Sequence, residues 1–172
     1  MEETVRIGFA RASARKLLQR CGITAPPVDL QPVLAHLGFE YHLVDFPDGV
    51  DALLVTTGDG RRVAGVNRNH HPHRQRFSLA HEVGHRLLGH QVTYYGTDIS
   101  IDNPPKRIDH RREAKRFETE ANTFAGELLV PLSMLRTAHA KSQDLESLSK
   151  VFFVSTQVIS IALMSHERSL FK

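Results

Sequence analysis

The sequence predicts an α+β domain in which a small twisted antiparallel sheet of about three strands packs with a helical body. Apolar residues recur at helical spacing through 5–21, 77–88 and 112–129. Short β-branched or aromatic segments at 39–44, 51–57 and 62–66 are separated by Pro47-Asp48-Gly49 and Gly58-Asp59-Gly60 turns. A His-Glu-x-x-His pattern, His81 to His85, sits on the helix after the last of these segments.

The first helix carries Phe9, Ala10, Ala14, Leu17, Leu18 and Cys21 on one face, with Gly22 placed to end it and Pro26-Pro27 to break the chain. Asp29 reads as the N-cap of a short second helix that tolerates Pro32 in its first turn and closes at Gly38. These two helices are expected to cover one side of the sheet. The strands read as an antiparallel meander, and the one just before the motif helix is expected to offer an edge for an extended peptide. A charge-protected edge is the plain alternative. Asn67 to Arg76 reads as a polar loop; His70, His71 and His73 crowd around Pro72 without sharing a face, so they are not expected to bind a metal. Residues 91–107 look irregular, and Tyr94 or Tyr95 is a packing residue before it is an oxyanion donor.

With 11 His and 10 Glu in 172 residues, His-Glu-x-x-His is expected by chance only about 0.04 times. Residues four apart on a helix lie one above the other, so His81 and His85 can hold one ion through two imidazole nitrogens. Glu82 lies about 100° round the helix, on the flank of the pair, where a general base for water belongs. Leu79, Val83 and Leu87 form an apolar stripe on the opposite face.

A catalytic zinc takes three protein ligands and leaves one position for water. Leu88 and Gln91 occupy the places where a metzincin would carry its Gly and His, and His90 lies half a helical rotation from His81. The third ligand is therefore expected from the helix spanning 112–129. Glu118 and Glu120 face roughly 200° apart and cannot both reach the ion. Glu118 is favoured, because its face continues through the small residues Ala121, Asn122, Ala125 and Gly126, whereas Glu120 sides with Phe117, Phe124 and Glu127. Asn122, one turn beyond Glu118, can accept the free ring N–H of a ligand histidine. The plain alternative is a helix of solvated glutamates.

The run Arg74 to His85, followed by Glu118-x-x-Ala121-Asn122-x-Phe124-Ala125-x-Glu127-Leu128-Leu129-x-Pro131, resembles the ImmA/IrrE family of metallo-endopeptidases over about residues 10–165. The resemblance implies a bacterial protein acting on helix-turn-helix repressors in phage-like, toxin–antitoxin or DNA-damage systems. Residues 1–140 are then expected to form a zincin-like metallopeptidase domain of gluzincin type, with two central helices sandwiching the metal. The ligands are His81, His85 and Glu118, the base is Glu82, and the ion is Zn²⁺, with Mn²⁺ or Fe²⁺ accepted by the same ligands.

Residues 141–172 are expected to form a helical appendage on that domain. Leu145, Leu148, Val151 and Phe152, then Val154 to Leu163 with Ser155 as cap, read as helix, tight turn and helix. The second of these helices offers Thr156, Gln157 and Ser160 but no Arg or Lys, so packing or substrate docking is favoured over DNA binding. A net charge of +3 and pI of 9.2, with basic residues scattered apart from 68–76 and 106–116, argue no differently. With 41% hydrophobic residues, no apolar run near 18 residues and no charged-then-apolar leader, a cytoplasmic, non-membrane protein is expected. The single Cys21 fits a reducing compartment and reads as a small core residue. The expected activity is a limited cut in a cytoplasmic repressor or antitoxin encoded nearby. The alternative is a metal-containing regulator that binds a repressor, a toxin partner or DNA without cutting.

Overall fold

The computed structural model describes residues 4–90, 94–95, 106–107 and 111–170. The described elements run α1 (Ile7–Arg20), α2 (Leu30–Leu37), β1 (Glu40–Val44), β2 (Ala52–Thr56), β3 (Arg62–Asn67), α3 (Pro72–Leu87), β4 (Tyr94–Tyr95), β5 (Lys106–Arg107), α4 (Arg111–Leu129), α5 (Leu132–His139), α6 (Leu145–Phe152) and α7 (Thr156–Leu170). The architecture is α+β: the described residues form seven helices and a small open three-stranded sheet, and β4 pairs with β5 as a separate two-stranded ladder. The rest of the 91–107 stretch lies outside the described residues.

Local capping chemistry sets several helix ends. Asp29 accepts from the Gln31 N–H at 2.9 Å, and Gly38, at φ 75°, closes α2 in the left-handed conformation that a Cβ disfavours. Asp144 caps α6 through the Ser147 N–H at 2.8 Å, and Ser155 caps α7 through the Val158 N–H at 3.3 Å. The motif helix begins earlier than expected. Pro72 takes its first position, where no N–H is needed, and the His71 ring nitrogen accepts from the His73 N–H at 3.2 Å, so part of the polar stretch read as a loop is the first turn of α3.

The sheet has the expected strands but not the meander pairing. Its order is β1-β3-β2, with β1 parallel to β3 and β2 antiparallel to it. Burial explains the arrangement. Val63, Ala64 and Val66 of β3 are all within 1% of full burial and belong where both sides are covered, whereas β1 leaves Tyr41 and Leu43 exposed at an edge. Phe46, in the β1–β2 link, lies so close to Gly65 that a Cβ there would stand 2.7 Å from its ring, which makes glycine a steric requirement in the middle of β3. Because β3 is paired on both sides, the edges left unpaired among the described residues are those of β1 and β2, not that of the strand before the motif helix.

One sheet face meets α3, which lies against β2 and β3; α2 touches β1, whereas α1 packs on α4 and not chiefly on the sheet as expected. The main core runs from Ala10, Ala14 and Leu17 through Val33 and Leu34 to Leu79, Val83, Phe124 and Leu128, and on into Leu148, Phe152 and Ile159. A smaller cluster of Val44, Phe46, Leu53, Val55 and Val63 covers the other face. On α3 the stripe shifts at its last turn: Leu88 is buried at 5% while Leu87 is 37% exposed, because the core row centres on Ala80, Gly84 and Leu88 with Leu79 and Val83 beside it. The axes of α6 and α7 meet at 102° around Phe153, whose positive φ of 52° makes the tight turn. Both helices bury Leu148, Phe152, Ile159 and Ala162 against the rest of the chain. Among the described residues no single helix is long and apolar enough to cross a membrane.

Candidate metal centre

The centre forms where α3 crosses α4, the most extensive contact between helices among the described residues. Gly84 permits it. A Cβ on Gly84 would stand 3.0 Å from the Phe124 ring and 3.2 Å from the Ala121 carbonyl oxygen, so the two backbones meet with no side chain between them. That approach lets groups on one helix share an ion with groups on the other.

His81 and His85 point their Nε2 atoms to a common spot, 2.9 Å from each other. The Glu118 carboxylate reaches the same spot from α4, 3.1 Å from His81 Nε2 and 3.3 Å from His85 Nε2. A tetrahedral ion with bonds of about 2.0–2.1 Å holds its ligands roughly 3.3 Å apart, so the three groups stand close enough to share one ion, with the histidine pair opening by a few tenths of an ångström to do so. Among the described residues this is the one group of His, Cys, Asp or Glu side chains so placed. Two imidazoles and a carboxylate suit zinc, and accept manganese or iron. The His85 ring is buried and His81 nearly so, while Glu118 keeps 36% of its side chain exposed, which leaves one open side. Glu82, half-buried, sits next along α3 from His81, on the flank of the histidine pair.

Both histidines are held from behind. His81 Nδ1 donates to Asn122 Oδ1 at 2.9 Å, the bond expected from the Glu118-x-x-x-Asn122 spacing, and this leaves the Nε2 lone pair for the ion. His85 Nδ1 lies 3.0 Å from His90 Nδ1, and His90 Nε2 lies 3.1 Å from the Glu120 carboxylate. Glu120 is completely buried and accepts from three Arg6 donors: the backbone N–H at 2.9 Å, Nε at 3.0 and 3.2 Å to the two carboxylate oxygens, and the terminal guanidinium nitrogen at 2.7 Å. Burial alone would raise the Glu120 pKa, but hydrogen bonds from Arg6 and His90 outweigh it and hold the carboxyl down to about 2. Burial lowers the His90 pKa, against the opposing pull of Glu120.

The sequence-derived ligands His81, His85 and Glu118 are thus brought together, with Glu82 beside them and Asn122 behind. Glu120 faces away from the ion, as its opposite helical face requires. Sequence reasoning missed His90 as a supporting residue, because it extended the helix past Leu88. Gly89, at φ 71°, instead turns the chain, and the His90 N–H returns to the His85 carbonyl at 3.1 Å. Gly89 itself was the available signal. His70, His71 and His73 form no such ligand group. The side chains of Tyr94 and Tyr95 lie outside the described residues.

A His-Glu-x-x-His helix crossed by a glutamate helix, with three side chains placed so that they could hold a metal ion beside a small sheet, defines a metallopeptidase-like α+β domain. The chain belongs to the peptidase M78 family, the IrrE N-terminal-like domain, whose model matches residues 38–164. No curated protein matches it. Its fold is similar to that of a Mycobacterium tuberculosis transcriptional regulator, at a TM-score of 0.64 and 18% identity. The match covers 88% of this chain and 45% of that one, so the chain spans less than half the length of that regulator.

Proposed function

We propose that this chain is a metal-dependent endopeptidase that makes a limited cut in a cytoplasmic helix-turn-helix repressor or antitoxin, and so relieves repression. The observation that carries the reading is the convergence of His81, His85 and Glu118 on one ion-sized spot, with Glu82 next to them. The ion, zinc with manganese or iron as alternatives, supplies Lewis acidity to a peptide carbonyl and to water when bound. Glu82 accepts the proton of the attacking water and delivers it to the leaving amine nitrogen, which keeps the proton count balanced as the C–N bond breaks. Asn122 fixes the tautomer of His81, so its Nε2 lone pair stays directed at the site.

The sheet supports a strand-like substrate. Among the described residues β2 has one unpaired edge; it lies against α3, and Asp51 at its start contacts Ser78 at 3.4 Å and Arg74 at 2.9 Å. An extended, flexible segment of a partner can add to such an edge, whereas a folded one cannot. The choice of a repressor or antitoxin rests on the resemblance to the ImmA/IrrE family, and the fold's likeness to a protein called a transcriptional regulator agrees with it.

A second reading is a metal-containing regulator that binds its partner without cutting. Phe153, Ile161 and Met164 favour it, since they leave exposed apolar surface around α7. One experiment separates the two. The purified protein, loaded with Zn²⁺ or Mn²⁺, is mixed with the regulator encoded beside it, and the products are read by mass spectrometry. The expected result is a single cut, absent in Glu82→Gln, which keeps its metal and its fold. A stable complex with both partners at unaltered mass under either metal selects the binding reading.

A further inference from the structure

Four residues behind the metal spot form a continuous chain of hydrogen bonds from His85 to the N-terminal segment. His85 Nδ1, His90 and Glu120 follow one another at 3.0 and 3.1 Å, and Arg6 closes the chain on Glu120 at 2.7 Å. The hydrogens can be placed along it. A carboxylate only accepts, so His90 Nε2 carries the hydrogen given to Glu120. With its Nε2 lone pair aimed at the ion, His85 carries its hydrogen on Nδ1 and donates it to the His90 Nδ1 lone pair. The inner links are out of water: the side chains of His90 and Glu120 are both 0% exposed and that of His85 is 3% exposed, while Arg6 closes the chain from the surface with 43% of its side chain exposed. The His90 ring is also stacked on Phe117, with centroids 4.3 Å apart and planes 20° apart, so packing helps to set its plane.

We propose that His90, Glu120 and Arg6 are a positioning relay for the metal ligand His85, and that the support of the metal centre therefore reaches into the segment ahead of α1. Resting on the metal-centre reading above, this adds that the two ligand histidines are held differently. His81 leans on a neutral amide near the surface, whereas His85 leans on a buried, charge-backed histidine. Arg6 takes part through two separate attachments, since its guanidinium also donates to the Leu88 carbonyl at 3.3 Å, where α3 ends. It thus holds both the carboxylate at the far end of the relay and the turn that returns His90 to His85. Arg6 lies outside the matched segment 38–164, so the family pattern alone does not reach it.

The test measures Zn²⁺ affinity by competition with a chromophoric chelator, and in parallel the thermal midpoint of the metal-free protein, for wild type, His90→Leu, His90→Asn and His90→Gln. Gln is long enough to accept from His85 and donate to Glu120, Asn places its oxygen where Nδ1 stands but is one methylene too short to be anchored by Glu120, and Leu can do neither. Leu and Asn should weaken zinc binding roughly 10- to 100-fold, with Gln restoring most of it, as expected when a group orients a ligand without bonding the metal. A relay that only packs the core would lower the metal-free midpoint while leaving zinc affinity at the wild-type value, and that result overturns the proposal. Should His90→Leu not fold, the Asn and Gln pair decides alone: equal affinities overturn the relay. A wild-type protein that takes up no divalent ion sinks the metal-centre reading and the relay together, whereas normal binding without peptide cleavage leaves the relay standing.

Discussion

The two glutamates of α4 differ by two positions and have opposite surroundings. Glu118 shares an ion-sized spot with His81 and His85, and Glu120 is paired with Arg6 and His90 in the interior. Glu118→Ala should therefore abolish stoichiometric zinc binding, measured by elemental analysis after desalting, since it removes one of three bonds to the ion. Asn122→Ala should lower affinity only about 10- to 100-fold, because Asn122 orients His81 without touching the metal. Equal losses in both variants would contradict the ligand assignment. The choice between the two carboxylates was readable from 100° per residue and from the small residues on the Glu118 face. The partner of the rejected one was not, since nothing near Glu120 in the chain points to Arg6.

At the scale of elements, the site depends on how closely α3 and α4 approach. Gly84 sets that distance, with Ala121 and Phe124 opposite it. The Phe124 ring and the α4 backbone have nowhere to retreat within a core where Phe124 and Ala121 are fully buried. Gly84→Ala should destabilise the metal-free fold by about 1–3 kcal/mol in denaturant titration, the usual cost of overpacking. It should weaken metal binding as well, because moving the helices apart moves Glu118 from the histidines. A stability equal to or above wild type would show that the gain in helix propensity dominates and that the approach is not strained. The sheet gives the complementary lesson. Each of its strands was visible as a β-branched run, but their order was not, because β-branched runs state that a segment is a strand and not which neighbour it takes.

For the whole molecule, the Arg6–Glu120 pair joins residues 114 apart and ties the start of α1 to the middle of α4. The Glu120 carboxyl falls from an ordinary 4.5 to about 2 in the folded protein. A carboxyl depressed on folding contributes stability that is full above its unfolded value and lost as pH falls through its folded one. The metal-free protein should thus lose this contribution between pH 4.5 and about 2. Thermal midpoints measured across that range should show wild type well above Arg6→Met at the upper end and the gap closing toward the lower. A gap that does not change with pH would mean Arg6 acts through packing alone.

What the sequence determined by itself is what short-range geometry controls. The caps at Asp29, Gly38, Asp144 and Ser155 depend on a side chain and backbone groups a few residues away. The alignment of His81 with His85, and the side on which Glu118 stands, follow from the helical repeat. Tertiary structure alone decided the mixed order of the sheet, the packing of α1 on α4 in place of the sheet, and the His85–His90–Glu120–Arg6 chain. These turn on which buried surfaces find each other once the chain has collapsed. Burying Glu120 requires a cation and a donor at the same point, and only the folded chain brings Arg6 and His90 there.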